Sequence, residues 1–133
     1  MFKTDKTYRI RSRNVRAVKE ALLIGPIAVT LNTKSNTFKY YKNGIMNSND
    51  CTNWWTNHLV VAVGYGVETR RNRTDGTMYT KPYIIIKNTW GKWWGEGGYA
   101  RISLTQEHGK RGVCGILTSN FVATVKEVDD PID

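Results

Sequence analysis

The sequence predicts an α+β domain, mainly β, in which one twisted antiparallel sheet curls into a partial barrel beside a single N-terminal helix. Three observations carry this. Short runs that alternate apolar and polar residues recur between turn residues, which is the period of a strand. Only the stretch after Asn14 places apolar residues at helical spacing. Two further runs, Leu59–Val63 and Tyr83–Ile86, are apolar at every position, and the segment joining them has no helical pattern, so antiparallel pairing follows. With 133 residues, 40% of them hydrophobic, residues 1–133 have the size and composition of one folded domain. Five Trp, seven Tyr and three Phe exclude a disordered chain.

Each element has its own signal. Tyr8 and Ile10 alternate with Arg9 and Arg11 in a short strand. Asn14 can cap a helix whose apolar positions are Val15, Ala17, Val18, Ala21 and Leu22, and Gly25-Pro26 stops it. Ile27, Val29 and Leu31 then alternate with Ala28 and Thr30 as a strand. Residues 32–57 are polar and turn-rich, a long loop that Phe38, Tyr40, Tyr41, Trp54 and Trp55 are expected to pin to the body. Leu59–Val63 is expected to be a central strand buried on both faces, residues 68–81 a long turn, and Tyr83–Ile86 a second buried strand. Tyr99–Leu104 and Phe121–Val125 complete six strands, followed by an acidic tail at 126–133.

Twenty Lys and Arg against eleven Asp and Glu leave a net charge of +9. The excess is concentrated early, in Lys3, Lys6, Arg9, Arg11, Arg13, Arg16 and Lys19, against Asp5 and Glu20. A basic surface draws anionic partners. No nucleic-acid motif accompanies the charge, so a solvated basic face is expected and nucleic acid is not an expected partner. No apolar run approaches the ~18 residues of a membrane helix, and no membrane span is expected. The first residues are polar and basic, so no secretory signal is expected. No cofactor and no metal site are expected. Cys51 and Cys114 are either two buried thiols or a disulfide closing a long loop, which would contribute about 4 kcal/mol. Their spacing leaves both open. One glycosylation sequon, Asn72-Arg73-Thr74, lies in a polar segment.

The chemistry centres on two residues. His58 sits where the long loop enters the first apolar strand, and Asn88 where the second leaves. In an antiparallel pair the start of one strand and the end of the next lie side by side, so the two are expected to be neighbours. An imidazole bonded to a neutral amide oxygen is held in one orientation without a counter-charge. That suits a histidine that works with a thiolate. Strand-end His and Asn also serve as partners in local turns, and position alone does not choose.

The longer motifs do choose. Asn57-His58-Leu59-Val60-Val61-Ala62-Val63-Gly64-Tyr65-Gly66 and Tyr83-Ile84-Ile85-Ile86-Lys87-Asn88-Thr89-Trp90-Gly91, the latter followed by Trp94-Gly95-Glu96-Gly97-Gly98-Tyr99, resemble the papain-like cysteine peptidases, cathepsins among them. Gly25-Pro26-Ile27-Ala28-Val29, Phe38, Tyr41 and Gly44-Ile45 resemble the same family upstream. The resemblance runs from about residue 8 to about residue 125 and corresponds to the C-terminal, barrel-like lobe of the family's catalytic domain.

That resemblance implies roles. His58 matches the catalytic histidine, Asn88 the amide that orients it, and Trp90 the indole that keeps water from their contact and so lowers the local dielectric. Cys51 and Cys114 match a disulfide pair. Thr30, Thr56, Asn57 and Ser119 match positions lining the substrate cleft. Thr30 and Thr56 are more polar than the aliphatic residues common there, which argues against a strongly apolar preference, and Thr89 replaces the usual Ser. The nucleophile motif of the family lies roughly 130–150 residues before its histidine. Neither Cys51 nor Cys114 has that context, and no counterpart of the family's oxyanion-hole glutamine is present. The resemblance therefore implies a peptide-hydrolysing enzyme whose nucleophilic Cys comes from an N-terminal lobe or another protein chain. The alternative is a catalytically inactive module with a structural or protein-binding role in a larger assembly. Disulfide and sequon together favour a lysosomal, vacuolar or extracellular setting.

Overall fold

The computed structural model describes residues 2–127, with the side chains of residues 2–6 and 123–127 left aside. In chain order the elements are β1 (Phe2–Ile10), α1 (Val15–Leu22), β2 (Ile27–Leu31), α2 (Asn36–Lys39), β3 (Ile45–Met46), β4 (His58–Arg71), β5 (Met78–Lys87), β6 (Tyr99–Ser103), a 3₁₀ turn at Val113–Gly115, and β7 (Asn120–Glu127). The strands form one seven-stranded sheet in the order β1-β7-β2-β4-β5-β6-β3. Every pairing is antiparallel except β3 with β6, which is parallel. The α+β, mainly β class holds, and the sheet remains open, with β1 and β3 as its edges.

Helix α1 forms for the reasons its residues suggest. The Asn14 side-chain oxygen accepts the Ala17 N–H at 2.9 Å, satisfying one of the free donors of the first turn. Val18 and Leu22 are buried, with Val15, Ala17 and Ala21 packed beside them. The core fills one face of the sheet with Val29, Leu31, Val60, Ala62, Ile84, Ile86, Ala100 and Ile102, closed by Phe38, Ile116 and Leu117. Strand-alternate residues do this because successive side chains point to opposite faces.

That alternation corrects the expectation of a strand buried on both faces. Val60 and Ala62 are buried, but Leu59, Val61 and Val63 stand 60%, 43% and 40% exposed. In β5, Ile84 and Ile86 are buried while Ile85 is only half-buried. The apolar run is uniform because the second face is apolar too, although the described residues leave it partly open to solvent.

The long turn expected at 68–81 is also corrected. Strands β4 and β5 continue outward through Glu68↔Lys81, Thr69↔Thr80, Arg70↔Tyr79 and Arg71↔Met78. Only residues 72–77 turn, closed by the Asn72 N–H to the Thr77 carbonyl at 2.7 Å and the Gly76 N–H to the Asn72 carbonyl at 2.8 Å. Beyond the core both faces of this ribbon are wet, so its sequence shows no apolar alternation. A lone two-stranded hairpin is marginal in water. Replacing residues 70–79, all exposed, by a two-residue turn is therefore expected to change stability by less than about 1 kcal/mol. Urea denaturation checks it, and a loss of several kcal/mol would mean that the ribbon packs on the body.

The stretch 32–57 is more structured than a loop. Ser35 caps the single turn α2 through its hydroxyl, which accepts the Phe38 N–H at 3.2 Å. Of the five aromatics expected to pin it, Phe38 and Tyr41 are buried and Trp55 half-buried, while Tyr40 and Trp54 lie in solvent. The two-residue β3 is too short for any periodic signal. In the acidic tail, residues 126 and 127 belong to β7, and 128–133 lie outside the described residues.

Candidate active site

Strand β4 begins at His58 and β5 ends at Lys87, and their pairing brings His58 to the same end of the sheet as Asn88. His58 Nε2 lies 2.8 Å from Asn88 Oδ1. The Thr89 backbone N–H donates to that same oxygen at 2.8 Å. An amide N–H can only donate, so the atom facing both groups is the oxygen of the carboxamide. His58 Nε2 must then donate and carry a proton, which leaves Nδ1 as the ring nitrogen with the free lone pair in the neutral imidazole. Asn88 is buried, and its own N–H donates to the Gly98 carbonyl at 3.0 Å. Its Nδ2 has no partner among the described residues, so the carboxamide is oriented through its oxygen.

Trp90 lies over the imidazole, ring centroids 5.6 Å apart and planes 35° from parallel. Its position is set edge-on against Phe38 at 5.2 Å and Trp94 at 5.7 Å. Trp94 is fixed in turn by its indole N–H, which donates to the Phe38 carbonyl at 2.9 Å. Trp90 itself remains 42% exposed.

The turn behind this cluster is built on a glycine and an ion pair. Gly95 has φ +62°, and a Cβ there would stand 2.4 Å from the Tyr99 carbonyl, so only glycine fits. Next to it Glu96 accepts from Arg101 Nε at 2.8 Å and from Arg101 Nη2 at 3.0 Å, a two-pronged pair. The buried Tyr41 hydroxyl donates to the Gly44 carbonyl at 2.6 Å beside it. Burial raises the Tyr41 hydroxyl above its ordinary value. The Arg101 guanidinium holds the Glu96 carboxyl below its ordinary 4.5. A carboxyl depressed in the folded state contributes stability above its unfolded pKa and loses it as pH falls through the folded value. Glu96→Gln is therefore expected to lower stability by about 1 kcal/mol at pH 7, the pair being about one-third exposed, and by little at pH 3. Urea midpoints at the two pH values test the difference, and equal losses at both would contradict it.

The positions expected to line a cleft fall into two groups. Thr30, Thr56 and Ser119 meet: Thr56 Oγ1 donates to Thr30 Oγ1 at 3.1 Å, and the Thr30 N–H donates to the Ser119 carbonyl at 3.1 Å. Asn57 adjoins His58 in the chain, but its side-chain oxygen is occupied by the Thr33 N–H at 3.0 Å. The disulfide joins Cys51 to Cys114, settling what their spacing left open, and ties the segment ahead of His58 to the segment ahead of Ser119. Leu59, beside His58 on the open face, and the Tyr41–Glu96–Arg101 group were not singled out from sequence. A uniform apolar run hides the first, and long-range side-chain pairing leaves no local pattern for the second. Among the described residues no cluster of His, Cys, Asp or Glu is arranged to hold a metal, and no helix is long and apolar enough to cross a membrane.

This lobe, with a histidine oriented by an amide at one end of an open sheet, matches a known class. The family model for papain family cysteine proteases matches residues 1–124, and the chain belongs to that family. It is 40% identical over 105 residues to falcipain-3 of Plasmodium falciparum (isolate 3D7), a match covering 78% of this chain and 20% of that protein. To papain of Carica papaya it is 35% identical over 119 residues, covering 90% of this chain and 30% of that protein. Among solved structures, the Carica candamarcensis cysteine protease CMS1MS2 in complex with E-64 superposes with a TM-score of 0.75 at 34% identity, covering 92% of this chain and 49% of that one. The chain thus spans about half of that solved chain and less of the curated relatives.

Proposed function

We propose that this chain is the histidine- and asparagine-bearing part of a cysteine endopeptidase, completed by a nucleophilic Cys on another lobe or chain. The observation that carries the reading is the 2.8 Å contact between His58 Nε2 and an Asn88 oxygen whose identity the Thr89 N–H fixes. It leaves His58 Nδ1 as the base. In the reaction, Nδ1 takes the proton of the incoming thiol, and the thiolate adds to the peptide carbonyl carbon. The imidazolium then returns the proton to the departing amine nitrogen as the C–N bond breaks, leaving a thioester. Water, deprotonated by the same nitrogen, adds to the thioester carbonyl; the C–S bond breaks, the acid departs, and the sulfur takes the proton back from the imidazolium. Asn88 holds the ring in register through both proton transfers, and Trp90 limits competing water. Thr30, Thr56, Asn57 and Ser119 form the side of the cleft that receives the peptide.

The open face supports a missing partner lobe. Leu59, Val61 and Val63 form an apolar stripe beside His58, of a kind that soluble proteins rarely leave uncovered. The test isolates the chain with whatever it binds and treats the assembly with a thiol-directed active-site reagent. Labelling of a partner cysteine that falls sharply in the His58→Ala form is the expected result. Stoichiometric partners with no reactive thiol would overturn the reading and assign the chain as an inactive binding module.

A further inference from the structure

We propose that the cavity formed by Arg13, Asn53, Gly109, Lys110 and Arg111 binds a tetrahedral oxyanion, a phosphate or sulfate group either free or carried at the end of a larger molecule. The cavity has a volume of about 350 Å³ and gathers side chains from three distant segments: the β1–α1 turn, the approach to β4, and the loop before the 3₁₀ turn. Three of its five lining residues are cations. The ion pairs among the described residues are Arg16–Glu20, Arg70–Glu68 and Arg101–Glu96, so no described carboxylate is paired with Arg13, Lys110 or Arg111 around this cavity. Three positive charges around one hollow raise the local concentration of anions.

The main chain that carries these residues is braced. Arg13 sits at φ +58°, where an L-residue needs support. Its N–H donates to the Leu117 carbonyl at 2.8 Å. Gln106 Nε2 donates both to the Arg13 carbonyl at 3.2 Å and to the Lys110 carbonyl at 2.9 Å, so one carboxamide binds the two cationic segments together. Asn53 Nδ2 reaches the His108 carbonyl at 3.4 Å. Guanidinium and ammonium groups carried on braced backbone around one hollow suit an anion that presents several oxygens at once. No aromatic side chain lines the cavity, so it lacks the stacking platform that a nucleic-acid strand uses.

The location links the cavity to the cleft. Leu117 precedes Ser119 by two residues, and a Cβ at Gly115 would touch both the Asn53 carbonyl at 3.0 Å and Thr56 Cγ2 at 3.1 Å. A ligand bridging Arg13 and Arg111 would brace the segments that carry Thr56 and Ser119.

The experiment follows thermal unfolding of the chain, with its partner where one is needed for solubility, during titration with inorganic phosphate and with sulfate. Ionic strength is held constant with NaCl. A saturable rise in midpoint is expected, with affinity weakened about tenfold in each of Arg13→Gln, Lys110→Gln and Arg111→Gln. Circular dichroism of each variant separates lost binding from lost folding. The exposed hairpin provides a matched control, because Arg70, Arg71 and Arg73 line a second basic cavity on it. Arg71→Gln with Arg73→Gln should leave the titration unchanged. A parallel titration with a sulfated oligosaccharide and its unsulfated counterpart separates the sources. Tighter binding than inorganic sulfate, lost in the same variants, assigns a carried group, and equal binding assigns the free anion. No saturation beyond the NaCl control would overturn the proposal. So would equal losses in the hairpin variants, or binding of single-stranded nucleic acid that inorganic phosphate does not displace.

Discussion

Replacing His58 by alanine in the assembled peptidase is expected to lower kcat by about four orders of magnitude or more, with KM for a peptide changed little. The imidazole performs every proton transfer in the proposed reaction, so its removal leaves the thiol without a base and the departing amine without an acid. Asn88→Ala should act more gently, by about a hundredfold, because it frees the ring to rotate without removing it. Steady-state kinetics on one peptide, compared with the extent of thiol labelling, separates the two effects. The asparagine variant should still label, more slowly, while the histidine variant should label hardly at all. A histidine variant with near-normal turnover would show that the base lies elsewhere.

Loss of the Cys51–Cys114 disulfide is expected to cost about 4 kcal/mol, since the two cysteines are separated by 63 positions and the cross-link restrains a correspondingly long loop in the unfolded chain. Both cysteines are buried against the core, so paired replacement by alanine adds a packing loss. Urea denaturation of the oxidised chain and of the Cys51→Ala, Cys114→Ala form gives the difference directly. The damage should also reach the cleft, because the cross-link joins the segments that carry Thr56 and Ser119. A loss below about 1 kcal/mol would mean that packing alone holds those segments together.

What could be read in the amino acids, and what could not, divides along physical lines. Helix α1 was visible because its cap, its apolar spacing and its Gly25-Pro26 stop all lie within thirteen residues of one another. His58 and Asn88 could be placed together because two apolar runs joined by a helix-free segment admit one simple pairing. Which face of β4 is buried is not written in its sequence, because an apolar residue facing open solvent and one facing a core are the same letter. Leu59 and Val60 differ only in what stands opposite them. The hairpin extension carries no strand signal because polar residues on both faces of a ribbon imitate a loop. The Glu96–Arg101 pair joins residues five apart across a turn and meets Tyr41 from far upstream. No periodicity encodes such a meeting, so only the coordinates could supply it.

The order of strands has a further consequence. β7 lies between β1 and β2, so the opening strand has no neighbour until the final strand is in place. During synthesis the first ribbon must wait, unpaired, until residues about 120–127 have left the ribosome, and only then can the sheet knit shut. This part of the sheet therefore depends on contacts between segments more than a hundred positions apart, the slowest kind for a chain to find.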